Sequence, residues 1–522
     1  MKKLIIWVAG FYIPLLLFSC NNSAVQTNKS HSDVSAESIE KGKKLAAQYC
    51  QSCHMLPAPS LANAKTWENG ILPQMGPRLG IVNFKGKTNP SYSRDINLPK
   101  GYYPSQPLLT NEEWQNIIDY YTATAPDTIV FPEFSQPQIK MQLPLFEVQK
   151  PHINYNTPTV SFVKIDSANK AMPVIISDAL KQKIYRFNAA LKPVDSVYSK
   201  GPVVDLEKQQ NNWIACNIGL LNPNNEKRGS CYNISLHNQK FVLDSLPLFK
   251  DIVRPVQITE TDLNNDGRKD YLVCEFGFLI GSLSWMENKG NGNFLRHVIR
   301  DLPGAIKVYI QDYNNDGLPD IWALFAQGEE GIFLFTNKGN GEFSQQEVLR
   351  FPPINGSSYF ELDDFNNDGH PDILYTCGDN ADYSTVLKPF HGVYIFMNDG
   401  NNKFVQKYFY HINGCYKAMA KDFDKDGDLD IATIAYFADY SQKPEEGFIY
   451  LENKAPNEFE PYTLPDFEVG RWLTMDVGDF DGNGFPDIIL GNFSVAPSFT
   501  KSKVDWRNSP PFILLKNNGG HF

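Results

Sequence analysis

Two sets of residues in this chain have the types and spacing to do chemistry. The first is Cys50-Gln-Ser-Cys53-His54. Two thiols three positions apart, followed at once by an imidazole, can form two thioether bonds to a haem and place the histidine under its iron. A thioredoxin-like site would need a βαβ setting and a zinc site a second ligand pair, and neither pattern surrounds the motif. Candidates for the sixth iron position are few, because no histidine occurs between His54 and His152. Met55 is too close to the proximal histidine to cross the macrocycle. Met75, in Leu72-Pro-Gln-Met75-Gly-Pro, is the candidate thioether ligand, with a core-filling role as the alternative.

The second set is a nine-residue loop that occurs five times. Its copies are Asp262-Leu-Asn264-Asn-Asp266-Gly267-Arg-Lys-Asp270, Asp312-Tyr-Asn314-Asn-Asp316-Gly317-Leu-Pro-Asp320, Asp364-Phe-Asn366-Asn-Asp368-Gly369-His-Pro-Asp372, Asp422-Phe-Asp424-Lys-Asp426-Gly427-Asp-Leu-Asp430 and Asp479-Phe-Asp481-Gly-Asn483-Gly484-Phe-Pro-Asp487. Oxygens at positions 1, 3, 5 and 9, with glycine at 6, let a short turn fold round one hard cation, and calcium is the natural guest. A bare turn needs only one or two such residues. An EF-hand is excluded, since each loop lacks a glutamate at position 12 and runs into a β-rich segment where an EF-hand needs a helix.

The elements that must hold these loops follow from their spacing of 50, 52, 58 and 57 residues. Each unit has an alternating strand, the loop, an apolar strand such as Ile431-Ala-Thr-Ile434, a third strand ending in a turn such as Asn288-Lys-Gly-Asn-Gly-Asn-Phe294, and an outer strand. Four strands at that period make a propeller blade. Over about residues 250 to 522 the chain resembles the FG-GAP/VCBS repeat family, the integrin-type calcium propellers. Two weaker units, at Asp166 with Val174-Ile-Ile176 and at Val203-Val-Asp205 with Trp213-Ile-Ala215, lack the ligand set and bring the expected blade count to seven, two without metal. The last unit stops at Phe522, where its outer strand should begin, and Gln142-Leu-Pro-Leu-Phe146-Glu-Val148 is the strand available to close the ring.

Around the thiol motif, residues 37–49 predict a helix with Gly42, Leu45, Ala46 and Tyr49 on one side, and Thr110-Asn-Glu-Glu113 is a capping box opening a second helix. With the motif between them, residues 37–127 resemble a class I c-type cytochrome, which implies a small all-α domain with covalent haem c held by Cys50 and Cys53 and ligated by His54 and Met75. Prolines between Pro126 and Pro144 mark a linker at 128–143, and the all-β propeller takes 144–522. Residues 1–20 read as a signal peptide whose Leu17-Phe-Ser-Cys20 resembles a bacterial lipobox, with Cys20 the lipidated residue, and 21–36 as a polar tether. This implies a protein of the bacterial cell envelope, an outer-membrane lipoprotein, anchored by lipid.

Length and composition agree with several folded units: 522 residues, 42% hydrophobic, and 36 glycines with 35 prolines for many turns. The net charge of −11 comes mostly from the five loops and gives no reason to expect nucleic acid. Five further cysteines, Cys216, Cys231, Cys274, Cys377 and Cys415, leave open whether Cys216 pairs with Cys231 and Cys377 with Cys415 or all are buried thiols. Long connections at 378–390, 437–447 and 492–511 carry Asp379, Asn380, Asp382, Tyr383, Asp439, Tyr440, Trp506 and Arg507, a content suited to a carbohydrate or protein ligand or to plain solvated loops. Lys307, Lys417, Glu361 and Asp476 are expected on inner strands, as channel groups or structural ion pairs. Functionally the residues favour an envelope electron-transfer protein that meets a redox partner protein and uses its propeller as a binding platform. The alternative is a propeller enzyme, a dehydrogenase or polysaccharide-active protein, with the haem as electron outlet. Adhesion alone would leave the haem motif without a use.

Overall fold

In the computed structural model the described residues are 27–89, 97–153, 155–210, 212–381, 383–497 and 499–520. Cys20 and Asp382 lie outside them. The N-terminal unit begins with the helix Ala36–Tyr49, which Ser35 caps by accepting from the Ser38 N–H at 3.1 Å. It buries Ile39, Gly42 and Ala46, and Gly42 is needed because a Cβ there would meet the Asn116 carbonyl oxygen at 1.8 Å. Asn116 belongs to the second long helix, Asn111–Thr124, opened by the reciprocal capping box of Thr110 and Glu113. Between them a helical run of mixed pitch extends from Ala64 to Leu79, ending at Gly80 with φ of +76°. Trp67 ties these pieces together. Its ring packs on Tyr121 with centroids 4.3 Å apart, and its indole N–H donates to the Pro59 carbonyl at 2.8 Å. Among the described residues no helix is long and apolar enough to cross a membrane.

From Phe146 onward the chain forms a seven-bladed β-propeller of antiparallel strands. The blades span 160–198, 203–252, 255–300, 305–350, 357–411, 415–462 and 472–517. The seventh has only three strands from its own repeat, and Phe146–Gln149 supplies the fourth, pairing with Leu514–Asn517 in the register Phe146↔Asn517 and Val148↔Leu515. An N-terminal strand thus closes a ring that would otherwise leave an open edge.

The second strand of each loop-bearing blade is buried along its whole length, as in Asp320–Phe325 and Asp430–Ala435, because it is flanked in its sheet and covered on both faces by neighbouring blades. Between the third and fourth blades, Leu272, Cys274 and Trp285 interleave with Val308, Ile321 and Phe335. Each fully buried aliphatic or aromatic side chain there contributes about 2 kcal/mol.

The inner strands of neighbouring blades are stapled to one another. Asp205 accepts from the Ile258 N–H at 3.0 Å, Glu361 from the Ala420 N–H at 2.9 Å and Asp476 from the Ile165 N–H at 2.8 Å, while Lys417 donates to the Met475 carbonyl at 2.8 Å. Glu361, Lys417 and Asp476 therefore act as blade-to-blade links. Burial pushes Glu361 up to about 7 and Lys417 down to about 8. The five propeller cysteines are buried free thiols, and Cys216 and Cys231 sit directly opposite each other on paired strands.

Candidate functional site

Cys50 caps the helix Ala36–Tyr49, its N–H donating to the Ala46 carbonyl at 2.9 Å, so the thiol motif begins where the helix ends. Met75 comes from the Ala64–Leu79 run. The fold brings Cys50, Cys53, His54 and Met75 to the wall of one cavity of about 1150 Å³, whose apolar lining includes Trp67, Leu72, Trp114 and Tyr121. His54 Nδ1 lies 2.8 Å from the Met55 carbonyl oxygen. An oxygen of that kind only accepts, so Nδ1 carries the proton and Nε2 keeps its lone pair for a ligand. Burial lowers the basicity of the ring, the Met55 carbonyl works against that, and the positive charges of Arg78 and Arg350 lower it further. Burial likewise pushes the Cys50 thiol up to about 12, while Cys53 is exposed. Two thiols, a neutral imidazole with an oriented Nε2 and a thioether on one aromatic-lined cavity are a donor set that fits a covalently attached haem.

The cavity lies on a seam. Its opposite wall is propeller: Glu275 to Ser282, Asp301 to Pro303, Gln327 to Glu329 and Asp379 line it, all from connections on the rim away from the nine-residue loops. Arg78 donates to the Tyr383 hydroxyl at 3.4 Å, Tyr102 donates to the Leu279 carbonyl at 3.1 Å, and Gly70 runs so close to Tyr383 that a Cβ would meet its carbonyl oxygen at 2.5 Å. Ile354 and Phe390 of the propeller join the hydrophobic core of the helical domain. The connection at 378–390 is thus occupied in docking that domain. The other two long connections pack on each other, with Tyr440 and Trp506 buried at a centroid distance of 4.9 Å and the Arg471 guanidinium over the Tyr436 ring. Their aromatic content is explained by packing, and Asp505 with Arg507 remains exposed as an ion pair.

On the opposite rim the five nine-residue loops share one construction. Position 1 turns the chain: Asp262 accepts from the Asp266 and Gly267 N–H groups at 3.0 and 2.8 Å, and Asp312 and Asp364 repeat this at 2.7 to 3.1 Å. Two left-handed residues make the bend, one at position 4 (Asn265, Asn315, Asn367, Lys425, Gly482) and the glycine at 6, with φ from 80° to 100°. Position 2 anchors the loop, Leu263 and Phe423 being fully buried.

Position 9 is a staple as well as a candidate ligand. Asp270, Asp320, Asp372, Asp430 and Asp487 are fully buried. Each accepts the N–H of an asparagine at the end of the third strand, Asn288, Asn337, Asn398, Asn453 or Asn517, at 2.7 to 2.8 Å. Four of these asparagines, all but Asn453, stand in the Asn-x-Gly turn, whose recurrence was the visible signal; their role in holding the loop was not.

The loops divide by position 3. Asn264, Asn314 and Asn366 turn their amide nitrogens to the carboxylates of Asp266, Asp316 and Asp368 at 2.8 to 3.0 Å, satisfying those oxygens internally. In the last two loops an aspartate stands there, and Asp422, Asp424 and Asp426, and separately Asp479, Asp481 and Asp487, converge as three-carboxylate clusters able to hold a cation. The sequence reading missed Asp428 at position 7. Its Oδ1 and that of Asp422 are buried and accept no hydrogen bond among the described residues. Burial first, then the charges of Asp426, Asp424 and Asp422, push Asp428 up to about 6. Asn483 at position 5 of the last loop instead donates to the Asn517 carbonyl at 2.9 Å.

The FG-GAP-like repeat matches residues 262–323 and 312–375. No curated protein matches the chain. Among solved structures the chain is similar to the Dos1 propeller, at 8% identity over 69% of this chain and 78% of that one with a TM-score of 0.40. It is also similar to Sqt1 from Saccharomyces cerevisiae, at 10% identity over 69% and 83% with a TM-score of 0.38. A luciferin-regenerating enzyme is similar at 9% identity over 72% and 96% with a TM-score of 0.35.

Proposed function

We propose that this FG-GAP-like propeller protein is an electron carrier of the bacterial envelope, in which Cys50 and Cys53 would attach haem c, His54 and Met75 would ligate its iron, and a calcium-stabilised propeller is the platform. The observation that carries the reading is the convergence of those four side chains on one cavity, with His54 Nδ1 committed to the Met55 carbonyl. When bound, the group supplies a one-electron iron couple. The chain's own residues do the rest. His54 presents Nε2 in a fixed orientation, Trp67 and Trp114 exclude water, and Met75 supplies a soft donor that favours the reduced state. With His54 and Met75 both ligating, no coordination position would be left for a substrate, which favours transfer over catalysis.

The loops from Asp422 and Asp479 are the strongest calcium positions of the five, because their carboxylates converge without an internal amide to satisfy them. The redox partner would meet the exposed side of the thiol motif, where Ser52 and Cys53 reach solvent. Lipidation of Cys20 would hold the protein at the membrane. The deciding experiment is a pyridine haemochrome assay on acid-acetone-extracted protein from cells competent in c-type maturation. One covalent haem per chain is expected, and a colourless polypeptide would end the redox reading.

A further inference from the structure

Arg78 stands three residues beyond Met75 on the same helical run and lines the same cavity. Its guanidinium donates to the Gln74 carbonyl and, at 3.4 Å, to the Tyr383 hydroxyl of the propeller, whose ring centroid is 5.9 Å away. Among the described residues it has no carboxylate partner. The other arginine of the lining does: Arg296 lies 2.8 Å from Glu275, while the lining acid Glu329 is held from outside the cavity by Arg300 and Arg350. The acids facing the cavity from the propeller are therefore largely neutralised where they stand. Asp301 is exposed, and Asp379 turns its Oδ1 to the Ala381 N–H at 2.7 Å. What remains is an uncompensated guanidinium at the edge of an apolar cavity, a costly arrangement unless an anion completes it. The planar fork of arginine matches a carboxylate with two parallel hydrogen bonds.

We propose that the seam is itself part of the haem site: Arg78, pinned by Tyr383 of the fifth blade, receives the carboxylate edge of the haem, so the propeller rim sets the reduction potential of the iron. This rests on the haem reading given above. Ferric haem carries one more positive charge than ferrous haem, so a fixed cation nearby favours the reduced form, and the low dielectric of the seam strengthens that preference. Tyr383 acts as a positioning residue, because it touches Arg78 and belongs to the other domain.

The test is a spectroelectrochemical titration of the full-length haem-loaded protein in four variants: Arg78→Gln, Arg78→Lys, Tyr383→Phe and, in the seventh-blade connection outside the cavity lining, Asp505→Asn. Haem content is measured on each. The midpoint potential should fall in Arg78→Gln, recover in part in Arg78→Lys, fall less in Tyr383→Phe and stay at the wild-type value in Asp505→Asn. Full haem content with wild-type potentials in all the seam variants would overturn the proposal while leaving the haem reading intact. Absence of covalent haem from the wild type would instead remove the reading on which it rests. Should Arg78→Gln fail to fold, Arg78→Lys and Tyr383→Phe decide by the same criterion.

Discussion

On one rim of the propeller the same nine-residue loop appears in five consecutive blades, and each copy is held by contacts inside itself and with one asparagine of its own blade. On the other rim the connections differ in length from blade to blade, and those of the third to fifth blades meet a helical domain far away in the chain, with Arg78 touching Tyr383 across 305 residues. The first rim is a local solution repeated. The second is a single assembly with no internal copy, and its aromatic and charged residues mean what they do only because of where a second domain docks.

The largest expected break in this comparison comes from removing the cations proposed for the loops. A site held at a hundred times its dissociation constant adds ~2.7 kcal/mol, so chelation should lower the melting temperature of the propeller by many degrees while the absorption of the haem proposed at the opposite rim is unchanged. An unmoved melting curve, with metal analysis showing the loops empty, would make them plain turns.

Asp430→Ala separates the staple from the ligand. The Asp430 carboxylate accepts from the Phe423 and Asn453 N–H groups and from the Tyr450 hydroxyl, at 3.2, 2.7 and 2.8 Å, and its loss strands three buried donors. A cost of about 3 to 5 kcal/mol in urea unfolding is expected with or without chelator. Asp426→Ala, at an exposed position, should cost stability only while metal is present.

A third contrast is pH. His391 and His411 are buried at the end of the fifth blade that carries the 378–390 connection, with Phe134 of the linker stacked on His411 at 4.2 Å and Lys388 and Lys443 nearby. Burial depresses both imidazoles, His411 to about 4. The unfolded chain then binds protons that the folded chain refuses. Stability from these groups is complete above about pH 6.5 and is lost as pH falls from there toward 4, by about 3 kcal/mol for His411. His411→Phe should flatten that slope; a wild-type slope in the variant would mean the acid sensitivity comes from elsewhere. The smallest effect belongs to the seam's neutral contact. Tyr102→Phe removes the hydrogen bond to the Leu279 carbonyl and should cost about 1 kcal/mol, seen as a small fall in the melting temperature of the helical domain, with no change at the loop rim.

The sequence by itself determined the propeller, its seven units, the closing strand at Phe146 and the helix start at Thr110, because each is written in short-range chemistry: a loop that needs oxygens and a left-handed glycine within nine residues, a period of about fifty residues, a cap satisfied three residues on. It also showed Cys50, Cys53, His54 and Met75 as a donor set. Only the tertiary structure decided that these four share a cavity with the propeller rim, that Asp428 feels the charges of Asp422, Asp424 and Asp426 while Asn483 reaches for Asn517, and that Glu361, Lys417 and Asp476 bind neighbouring blades. The physical reason is that a polar side chain does not choose its partner by its own neighbours in sequence. It takes the donors or acceptors that packing leaves within hydrogen-bond reach when water is excluded, and for Arg78 one of those is a tyrosine of the fifth blade, 305 residues away in the chain.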